Sequence, residues 1–443
     1  MHKKFVACVA LLLMLALFAA SVSGARQGTP SIAKPEAAPL SSTDEIVKVV
    51  SRLRALDVKQ NVKSSFKTKD EIEQAVIRDL DENTPPEEFE ATQKTLVKLG
   101  LIDKGFRLRD YVVKLLREQV AGFYEPKTKE FYLAAWLPIS EQNRVIAHEL
   151  VHALQDQHFN LRRFESWPKG DSDAELAAHA LVEGEATLVM IEYDFEQQGM
   201  KLDITKLGSL TDSLIEQDGD NDAKSYPVLA NAPRVLKENL QFPYLYGAGF
   251  VGAVLKGRSW QALDVSYEKL PASTEQIMHP ERFLVRDNPV IIEMPDLTST
   301  LGPEWKKADA DVNGEFGYLV ALSEFISKRA ARIASTGWGG DRYALYENKS
   351  GAVVLAQYTT WDTENDAKEF FEAYSERTAK RYKLGKSVDS PARLRVWETN
   401  EGLAGIELRG RDVVIIEGAE TRIQLSRLAA MMWKSKKSMA TGK

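Results

Sequence analysis

Apolar residues recur every three to four positions through much of the first half of the chain, which is the period of an amphipathic helix. Ser273 and Gln276 have the spacing of a capping box and add a short helix over 273–283. The longer predicted helices are 44–56, 69–80, 87–99, 107–118, 141–158, 172–198 and 233–256. The first four of them predict an N-terminal helical region over 43–118.

Just before the predicted helix at 141–158, the period of the apolar residues shortens to two, which is typical of a strand. Apolar and aromatic residues concentrate in 120–124 and 130–135, and Pro126 lies in the polar segment between them. This arrangement predicts a β-hairpin with a proline-containing turn. The hairpin and the helices after it predict a second region over 119–300.

The pattern changes again beyond residues 300–314, where a helix is predicted at 314–332. The strands predicted after it are 341–346, 352–360, 393–399, 405–409 and 412–417, and the helices are 364–381 and 421–434. Their β–β–α–β–β–β–α order is typical of a small α+β domain with its helices on one face of the sheet. We predict such a C-terminal domain over 301–443, which makes the whole chain α+β and mainly helical.

The first residues of the chain have the pattern of an export signal. Two lysines precede an unbroken apolar run from Phe5 to Ala20, and small residues follow it. The run is shorter than the roughly 20 residues that span a bilayer. We therefore predict a cleaved signal peptide at 1–25, with a retained anchor as the alternative, and a flexible Pro- and Ala-rich linker at 26–42. The protein is expected to be exported, periplasmic or extracellular, and to meet the membrane only transiently.

Composition narrows the classes of function. The 443 residues include 58 Lys and Arg against 64 Asp and Glu, which gives a formal charge of −6. A mildly acidic chain without a basic run is not expected to bind nucleic acid. The one cysteine, Cys8, lies in the predicted signal peptide. A disulfide framework and thiolate metal sites are therefore excluded.

The strongest chemical signal is His148-Glu-Leu-Val-His152 within the predicted helix 141–158. Residues four apart on a helix share a face, so His148 and His152 project toward one point. Two neutral imidazoles at such a point can hold Zn²⁺. Glu149 can reach a water on that metal without binding the metal itself, which is the placement of a general base.

A third zinc ligand should come from another element and leave the fourth position for water. The next predicted helix carries Glu175, His179 and Glu183 on one face, and Glu185 points roughly 200° away from Glu183. Because unpaired charge on a buried helix face is unfavourable, this concentration of polar groups indicates function. We select Glu183 as the ligand, and His179 and Glu185 stay open as alternatives.

These two motifs carry a resemblance to a known family. His148-Glu-Leu-Val-His152, followed on a second helix by Leu-Val-Glu-Gly-Glu-Ala at 181–186, resembles the gluzincin branch of zinc metallopeptidases. In that branch the third ligand is a glutamate on the helix after the motif helix. Membrane-alanyl-aminopeptidase-type enzymes have a similar Glu-Gly-aromatic-Ala segment around it, which supports Glu183 over Glu185.

The resemblance extends over about residues 110–285. The stretch from Gly-Phe-Tyr-Glu-Pro at 122–126 to Phe159 is also similar to secreted, largely uncharacterised bacterial gluzincin-like proteins. The resemblance implies a zincin-like metallopeptidase domain with a small edge β-sheet. The Gly-x-Met-Glu-Asn segment with which aminopeptidases bind a free amine is absent, which argues against exopeptidase action.

Supporting residues follow from the resemblance and from position. In zincins an edge strand before the motif helix pairs with extended substrate, and 130–135 is the candidate here. Asp156 lies four residues after His152 and could accept a hydrogen bond from an imidazole. His158 is interpreted as an outer or structural residue near the same face.

Residues beyond the two motif helices are candidates for stabilising the oxyanion of a tetrahedral intermediate. The candidates are His279, which precedes Pro280, and Tyr244 or Tyr246. We select His279 and Tyr246 for this role.

The sequence therefore predicts a secreted or periplasmic zinc-dependent metalloprotease. Zn²⁺ on His148, His152 and Glu183 would activate water, and Glu149 would act as the general base. Its expected partner is a peptide or protein substrate. One alternative is a non-catalytic zincin-like protein that binds peptides or serves as a cell-envelope scaffold. Another is a zinc hydrolase of a non-peptide amide or ester.

Overall fold

The computed structural model describes residues 43–135, 137, 139–166, 170–202, 226–384 and 393–439. The predicted signal peptide at 1–25 and linker at 26–42 lie outside the described residues. The helices are α1 (Thr43–Arg54), α2 (Lys69–Asn83), α3 (Pro86–Leu99), α4 (Leu108–Gln119), α5 (Ile139–Phe159), α6 (Ser172–Gln197), α7 (Pro227–Ala230), α8 (Arg234–Leu255), α9 (Gln261–Glu268), α10 (Thr274–Met278), α11 (Pro280–Leu284), α12 (Thr298–Leu301), α13 (Gly314–Ser323), α14 (Lys328–Ser335), α15 (Glu364–Arg381) and α16 (Arg422–Met432). The strands are β1 (Lys63–Lys67), β2 (Gly122–Glu125), β3 (Glu130–Ala134), β4 (Val290–Glu293), β5 (Trp305–Asp311), β6 (Trp338–Asn348), β7 (Val353–Trp361), β8 (Leu394–Thr399), β9 (Gly402–Arg409), β10 (Asp412–Ala419) and β11 (Lys436–Met439). The fold is α+β, as predicted.

Local signals in the sequence set the ends of several helices. Thr68 caps α2 with a complete capping box to Glu71. Gly100 ends α3 with a φ of 76°, a left-handed conformation that suits glycine. Ser273 caps α10 by accepting a hydrogen bond from the N–H of Gln276, as its spacing predicts. These signals therefore place the starts of α2 and α10 and the end of α3 correctly, but the short helix predicted over 273–283 is divided at His279 into α10 and α11.

The strands β1, β3 and β2 form a three-stranded sheet with β3 in the middle. β2 and β3 pair antiparallel, from Gly122 opposite Leu133 to Glu125 opposite Glu130, which confirms the predicted hairpin. β1 pairs parallel with β3 along its whole length. The prediction that 130–135 forms an edge strand is therefore wrong, because β1 and β2 occupy its two sides.

The C-terminal strands form a six-stranded sheet in the order β5-β6-β7-β10-β9-β8, with every neighbouring pair antiparallel. The predicted order of elements is confirmed from β6 to α16. β5 was not predicted, because its sequence Trp-Lys-Lys-Ala-Asp-Ala-Asp has few apolar residues. The small strands β4 and β11 pair separately, from Val290 opposite Met439 to Glu293 opposite Lys436.

Helices cover both faces of the six-stranded sheet, so the prediction of helices on one face is wrong. On one face Leu355 and Ile415 belong to the same hydrophobic cluster as Phe370 of α15. On the other face Ile416 packs in a second cluster with Leu428 of α16. Successive residues of a strand point to opposite faces, so the mostly apolar run of β10 supplies both clusters.

The predicted helix at 314–332 is two helices, α13 and α14. Ser327 lies between them in an extended conformation, and its side chain accepts a hydrogen bond from the N–H of Ala330. A serine that caps the following helix favours a break in the preceding one. The periodicity of the apolar residues did not reveal this interruption.

The first hydrophobic cluster extends well beyond the six-stranded sheet. It also contains buried residues of α1 to α6 and of α8, so one core joins the sheet face under α15 to the helices around α5 and α6. Among the helices in the described part of the chain, none is both long and apolar enough to cross a membrane.

Candidate metal centre

α5 and α6 pack together and bring the three predicted zinc ligands to one point. The Nε2 atoms of His148 and His152 lie 2.9 Å apart. The Oε2 atom of Glu183 on α6 lies 3.2 Å from the first of these nitrogens and 3.4 Å from the second. All three side chains are buried. Among the described residues they form a group whose ligand atoms lie within 4.8 Å of one another.

The spacing of these three atoms fits a tetrahedral zinc ion. Bonds of about 2.0–2.1 Å at tetrahedral angles place ligand atoms roughly 3.3 Å apart, close to the 2.9 to 3.4 Å measured here. The other carboxylate oxygen of Glu183, Oε1, is buried and has no hydrogen-bond partner among the described residues. Two imidazoles and one carboxylate form a donor set that suits zinc and related divalent metals.

The two alternative ligands occupy other positions. Glu185 is fully buried and forms an ion pair with Arg54, whose Nε lies 2.5 Å from Glu185 Oε1. His179 lies one helical turn before Glu183, and its buried Nε2 has no hydrogen-bond partner in the described structure. It is not part of the group whose ligand atoms converge. The geometry therefore favours Glu183 over both alternatives.

Glu149 is buried beside the proposed ligands His152 and Glu183. Its side chain is only 3% exposed. Burial raises its pKa to about 8, although the neighbouring His152 acts to lower it. The backbone N–H of Tyr124 on β2 also acts to lower the pKa of Glu149, which places strand β2 beside the site. A carboxyl group that holds a proton near neutral pH is suited to acid–base chemistry.

Without metal, the ligands balance charge among themselves. Burial, with His152 next, lowers the pKa of His148 to about 4. Burial also acts to lower the pKa of His152, but Glu183 outweighs it and raises that pKa to about 9. For Glu183, burial acts to raise the pKa, but the two imidazoles lower it to about 2. At neutral pH His152 is therefore protonated and faces an ionised Glu183.

A zinc ion bound here would have to displace the proton of His152, because only the neutral imidazole binds metal. We expect zinc binding at pH 7 to release at least about one proton, and the apparent affinity to rise as the pH approaches 9. Titration calorimetry in buffers of different ionisation enthalpy measures this release. The Glu149→Gln variant removes the second buried proton carrier and isolates the contribution of His152.

His158 provides a control for this prediction, because its Nε2 hydrogen-bonds the carbonyl oxygen of Asp57 at 2.8 Å, away from the ligands. The His158→Gln variant is expected to release as many protons as the wild type. A binding enthalpy that did not depend on the buffer would contradict the predicted proton release.

Gln155, and not Asp156, orients the imidazole of His152. The Nδ1 atom of His152 lies 2.8 Å from Gln155 Oε1, and both side chains are buried. The carboxylate of Asp156 instead accepts hydrogen bonds from the hydroxyl of Tyr124 and from the N–H of Leu161. The sequence signal for Gln155 was its position one turn after His152, which alone does not separate it from neighbouring polar residues.

Of the two tyrosines on α8, Tyr244 approaches the ligands. Its ring centroid lies 6.4 Å from that of His148. Tyr246, roughly 200° further around the helix, stacks on Phe242 at 4.7 Å and contacts Phe316 at 5.8 Å. The geometry therefore favours Tyr244, in contrast to the selection of Tyr246 from the sequence.

The structure gives His279 partners outside the ligand group. Its Nε2 lies 2.9 Å from Glu315 Oε1 on α13, and its Nδ1 lies 3.9 Å from Glu281. Burial acts to lower the pKa of His279, but the contact with Glu315 raises it overall. These contacts indicate that His279 joins α10 and α11 to α13. They do not support the predicted role of His279 in stabilising the oxyanion.

α6 and α8 approach each other backbone to backbone at two glycines. A Cβ atom on Gly184 would lie 2.1 Å from the carbonyl carbon of Gly247. A Cβ atom on Gly247 would lie 2.1 Å from the carbonyl oxygen of Ala180. The glycine of the second motif therefore allows α8 to pack closely on α6, which brings Tyr244 next to the ligands.

A comparison with family models gave a match that lies outside the candidate metal centre. A family model described as a domain of unknown function (DUF8575) matches residues 300–429. The matched region contains the whole six-stranded sheet and neither α5 nor α6. Neither the curated proteins nor the solved structures that were compared gave a match.

Proposed function

We propose that the protein is an exported, zinc-dependent metallopeptidase with a zincin-like domain of the gluzincin type. The observation that carries this proposal is the buried convergence of His148, His152 and Glu183, with Glu149 beside them. The motif spacing accounts for the first two ligands, and the packing of α6 on α5 supplies the third. The proposed substrate is a peptide or a protein.

The buried groups divide the chemistry of peptide hydrolysis among themselves. A zinc ion held by this donor set supplies Lewis-acid activation of water and of the scissile carbonyl. Glu149 takes the proton of the attacking water and passes it to the leaving amine. To take that proton Glu149 must first be ionised, and the positive charge of a bound zinc ion would lower its pKa from the value of about 8 that burial gives it without metal.

The outer edge of β2 is the proposed position of the substrate backbone. The N–H of Ala134 donates to the carbonyl oxygen of Ala121, so by the alternation of an antiparallel pair the backbone groups of Tyr124 point away from β3. Residues two apart in a strand present their backbone groups to the same side, so Gly122 also faces outward. Within the described residues, no strand pairs with this side of β2. An extended peptide could add there as a further strand, in place of the position along 130–135 expected from the sequence.

Tyr244 is proposed to stabilise the charge that develops on the substrate carbonyl oxygen. We expect Tyr244→Phe to lower kcat about 10²–10³-fold with little change in KM, because this hydrogen bond forms in the transition state. Steady-state kinetics on a peptide substrate measure both constants. Tyr246→Phe is the matched control on the same helix and should retain wild-type kinetics. If only Tyr246→Phe lost activity, the result would favour Tyr246, the residue selected from the sequence, as the group that stabilises the oxyanion.

Metal content and turnover of the purified chain test the proposed function. We expect about one zinc per chain, measured by atomic emission spectroscopy. A library of internally quenched peptides should be cleaved in a reaction that a chelator abolishes and added zinc restores. The His152→Ala variant is expected to lose both zinc and turnover. A wild-type chain without stoichiometric metal would refute the proposal.

The same measurements separate the alternatives. Tight binding of peptides without turnover by the zinc-loaded protein would favour a non-catalytic scaffold. Turnover confined to small amides or esters would favour a hydrolase of non-peptide substrates. The buried Glu149 argues against the scaffold, because a binding groove gains nothing from an unneeded buried carboxyl group.

Export is the part of the proposal that rests on residues 1–25. Expression in a bacterium followed by N-terminal sequencing of the exported protein tests it, with a start near residue 26 as the expected result. Retention of the full-length chain in the cytoplasm would contradict export without affecting the proposed chemistry.

A further inference from the structure

A continuous series of buried hydrogen bonds leads from helix α1 to the proposed ligand His152. It passes through four side chains, which we call the α1 network: Arg54 of α1, Glu185 of α6, Tyr267 of α9 and Gln155 of α5. Each of them is at most 1% exposed. None of the four takes part in the chemical steps proposed above.

The direction of each hydrogen bond near the metal centre is set by its neighbours. Gln155 Nε2 donates to the carbonyl oxygen of Val182 at 2.9 Å and to the hydroxyl of Tyr267 at 3.0 Å. The Oε1 atom of Gln155 therefore faces His152 Nδ1 and accepts its proton at 2.8 Å. With a proton on Nδ1, the neutral imidazole directs the lone pair of Nε2 toward the metal position.

At its other end, the network contains the ion pair of Arg54 and Glu185. The hydroxyl of Tyr267 has one proton, which it donates to Glu185 Oε2 at 2.7 Å. Its oxygen must therefore accept the hydrogen bond from Gln155. Arg54 Nε donates to Glu185 Oε1 at 2.5 Å. Without Arg54, Glu185 would be a buried carboxylate with no cation beside it, which is strongly unfavourable.

Neighbouring groups hold both Arg54 and Tyr267 in place. Arg54 Nη2 forms a second ion pair with Asp264 at 2.5 Å, and the guanidinium lies 4.7 Å from the ring centroid of Trp260. The ring of Tyr267 stacks on Phe159 at the end of α5, with centroids 4.0 Å apart. The network is therefore constrained by helices α1, α5, α6 and α9 together.

We propose that the α1 network positions His152 for metal binding by holding its imidazole as the Nδ1–H tautomer. The four side chains are positioning residues, and α1 is an integral part of the metal centre. This inference rests on the proposed function, because it assumes that His152 binds zinc. It also assigns roles to both glutamates of the second motif: Glu183 binds the metal, and Glu185 orients a different ligand through the network.

The six-stranded sheet provides a matched control network with the same four residue types. Arg377 Nη1 donates to Glu417 Oε1 at 2.8 Å, and the hydroxyl of Tyr374 donates to the same oxygen at 2.8 Å. Gln357 Nε2 in turn donates to the hydroxyl of Tyr374 at 2.7 Å. All four side chains are buried, and none of them contacts a proposed metal ligand in the described structure. Disrupting this control network measures how the loss of such buried hydrogen bonds affects stability, without an effect on the proposed metal ligands.

The experiment compares Tyr267→Phe with Tyr374→Phe in the full chain. Each variant loses one buried hydroxyl, so both should lower the thermal midpoint of unfolding by similar amounts. Zinc affinity is measured by competition with a chromophoric chelator. We expect Tyr267→Phe to bind zinc about 10–100-fold more weakly, and Tyr374→Phe to bind it as the wild type does. Arg54→Met should weaken binding in the same way, with partial recovery in Arg54→Lys.

A second measurement reads the position of His152 without metal or turnover. Exchange of the His152 Nδ1 proton with solvent can be followed by NMR in protein labelled with ¹⁵N-histidine. We expect slow exchange in the wild type and in Tyr374→Phe, and exchange faster by at least about tenfold in Tyr267→Phe.

The outcomes distinguish this inference from the proposed function. Unchanged zinc affinity and unchanged proton exchange in Tyr267→Phe would overturn the inference, and so would equal losses of affinity in the two phenylalanine variants. A wild-type chain that binds zinc but cleaves no peptide would overturn the proposed function alone. If the wild type bound no zinc, the metallopeptidase proposal and the metal-positioning role would both be refuted. Proton exchange would then show whether the network still orders His152.

Discussion

Replacing Glu149 by glutamine is expected to lower kcat for peptide hydrolysis about 10²–10⁴-fold, the usual contribution of a general base. Glutamine keeps the shape of the side chain but cannot accept the proton of the attacking water. The proposed ligands His148, His152 and Glu183 are unchanged in this variant, so zinc is expected to remain bound at the wild-type level. Initial rates on a quenched peptide, together with the zinc content of the same sample, measure the two effects.

The Glu417→Gln variant is the control for this substitution. Glu417 of β10 is equally buried, but it pairs with Arg377 of α15, away from the proposed metal ligands. We expect this variant to lose stability while its folded fraction keeps the wild-type kcat. Wild-type turnover in Glu149→Gln would show that another group, or none, acts as the general base.

Replacing Gly184 by alanine is expected to destabilise the protein by at least about 3 kcal/mol or to prevent folding, at the upper end of what overpacking causes. The added Cβ atom would lie 2.1 Å from the backbone of Gly247. A backbone cannot move aside as the end of a flexible side chain can, so α6 and α8 would have to separate. Equilibrium unfolding in urea and the yield of soluble protein measure the effect.

The Gly105→Ala variant provides the comparison, because nothing lies within 4 Å of a Cβ atom at Gly105. Its stability should stay within about 0.5 kcal/mol of the wild type, as for most surface substitutions. If Gly184→Ala unfolded at the wild-type urea concentration, α6 and α8 could not pack as closely as they do in this structure.

The first half of the metal centre could be predicted from the sequence because it depends on one helix. His148 and His152 share a face whenever α5 is helical, and the structure places their Nε2 atoms 2.9 Å apart. Helical geometry also separates Glu183 from Glu185 by roughly 200°. The same geometry does not say which of the two faces α5. That choice depends on how α6 is rotated, and most residues of α6 are buried all around the helix.

The positions of the strands were predicted better than the pairing of each strand with its neighbours. The hairpin of β2 and β3 is local, and its apolar pattern marks it clearly. β1 has the sequence Lys-Ser-Ser-Phe-Lys, and it is a strand because its backbone pairs with β3 across more than sixty residues of sequence. Backbone pairing of this kind leaves no apolar signature. The assignment of 130–135 as an edge strand was wrong for this reason.

For the residues that support the site, too, the sequence supplied the candidates and the tertiary structure decided among them. Asp156 and Tyr246 were reasonable candidates by residue type, but Gln155 contacts His152 and Tyr244 approaches His148. The members of these pairs lie roughly 100° and 200° apart around their helices, so the rotation of each helix decides which member faces the site. The sequence cannot set that rotation, because it results from the packing of several helices at once.

By itself, the sequence determined the α+β class, most helices, the hairpin and the three groups on α5 that can bind a metal or carry a proton. These features depend on interactions between residues close in the chain, whose geometry follows from helical and strand periods. Only the tertiary structure decided that Glu183 joins His148 and His152 in one buried group, that Glu185 pairs with Arg54, and that a buried network joins α1 to His152. Those contacts join residues up to 131 positions apart, and they depend on the relative placement of whole helices in a shared core.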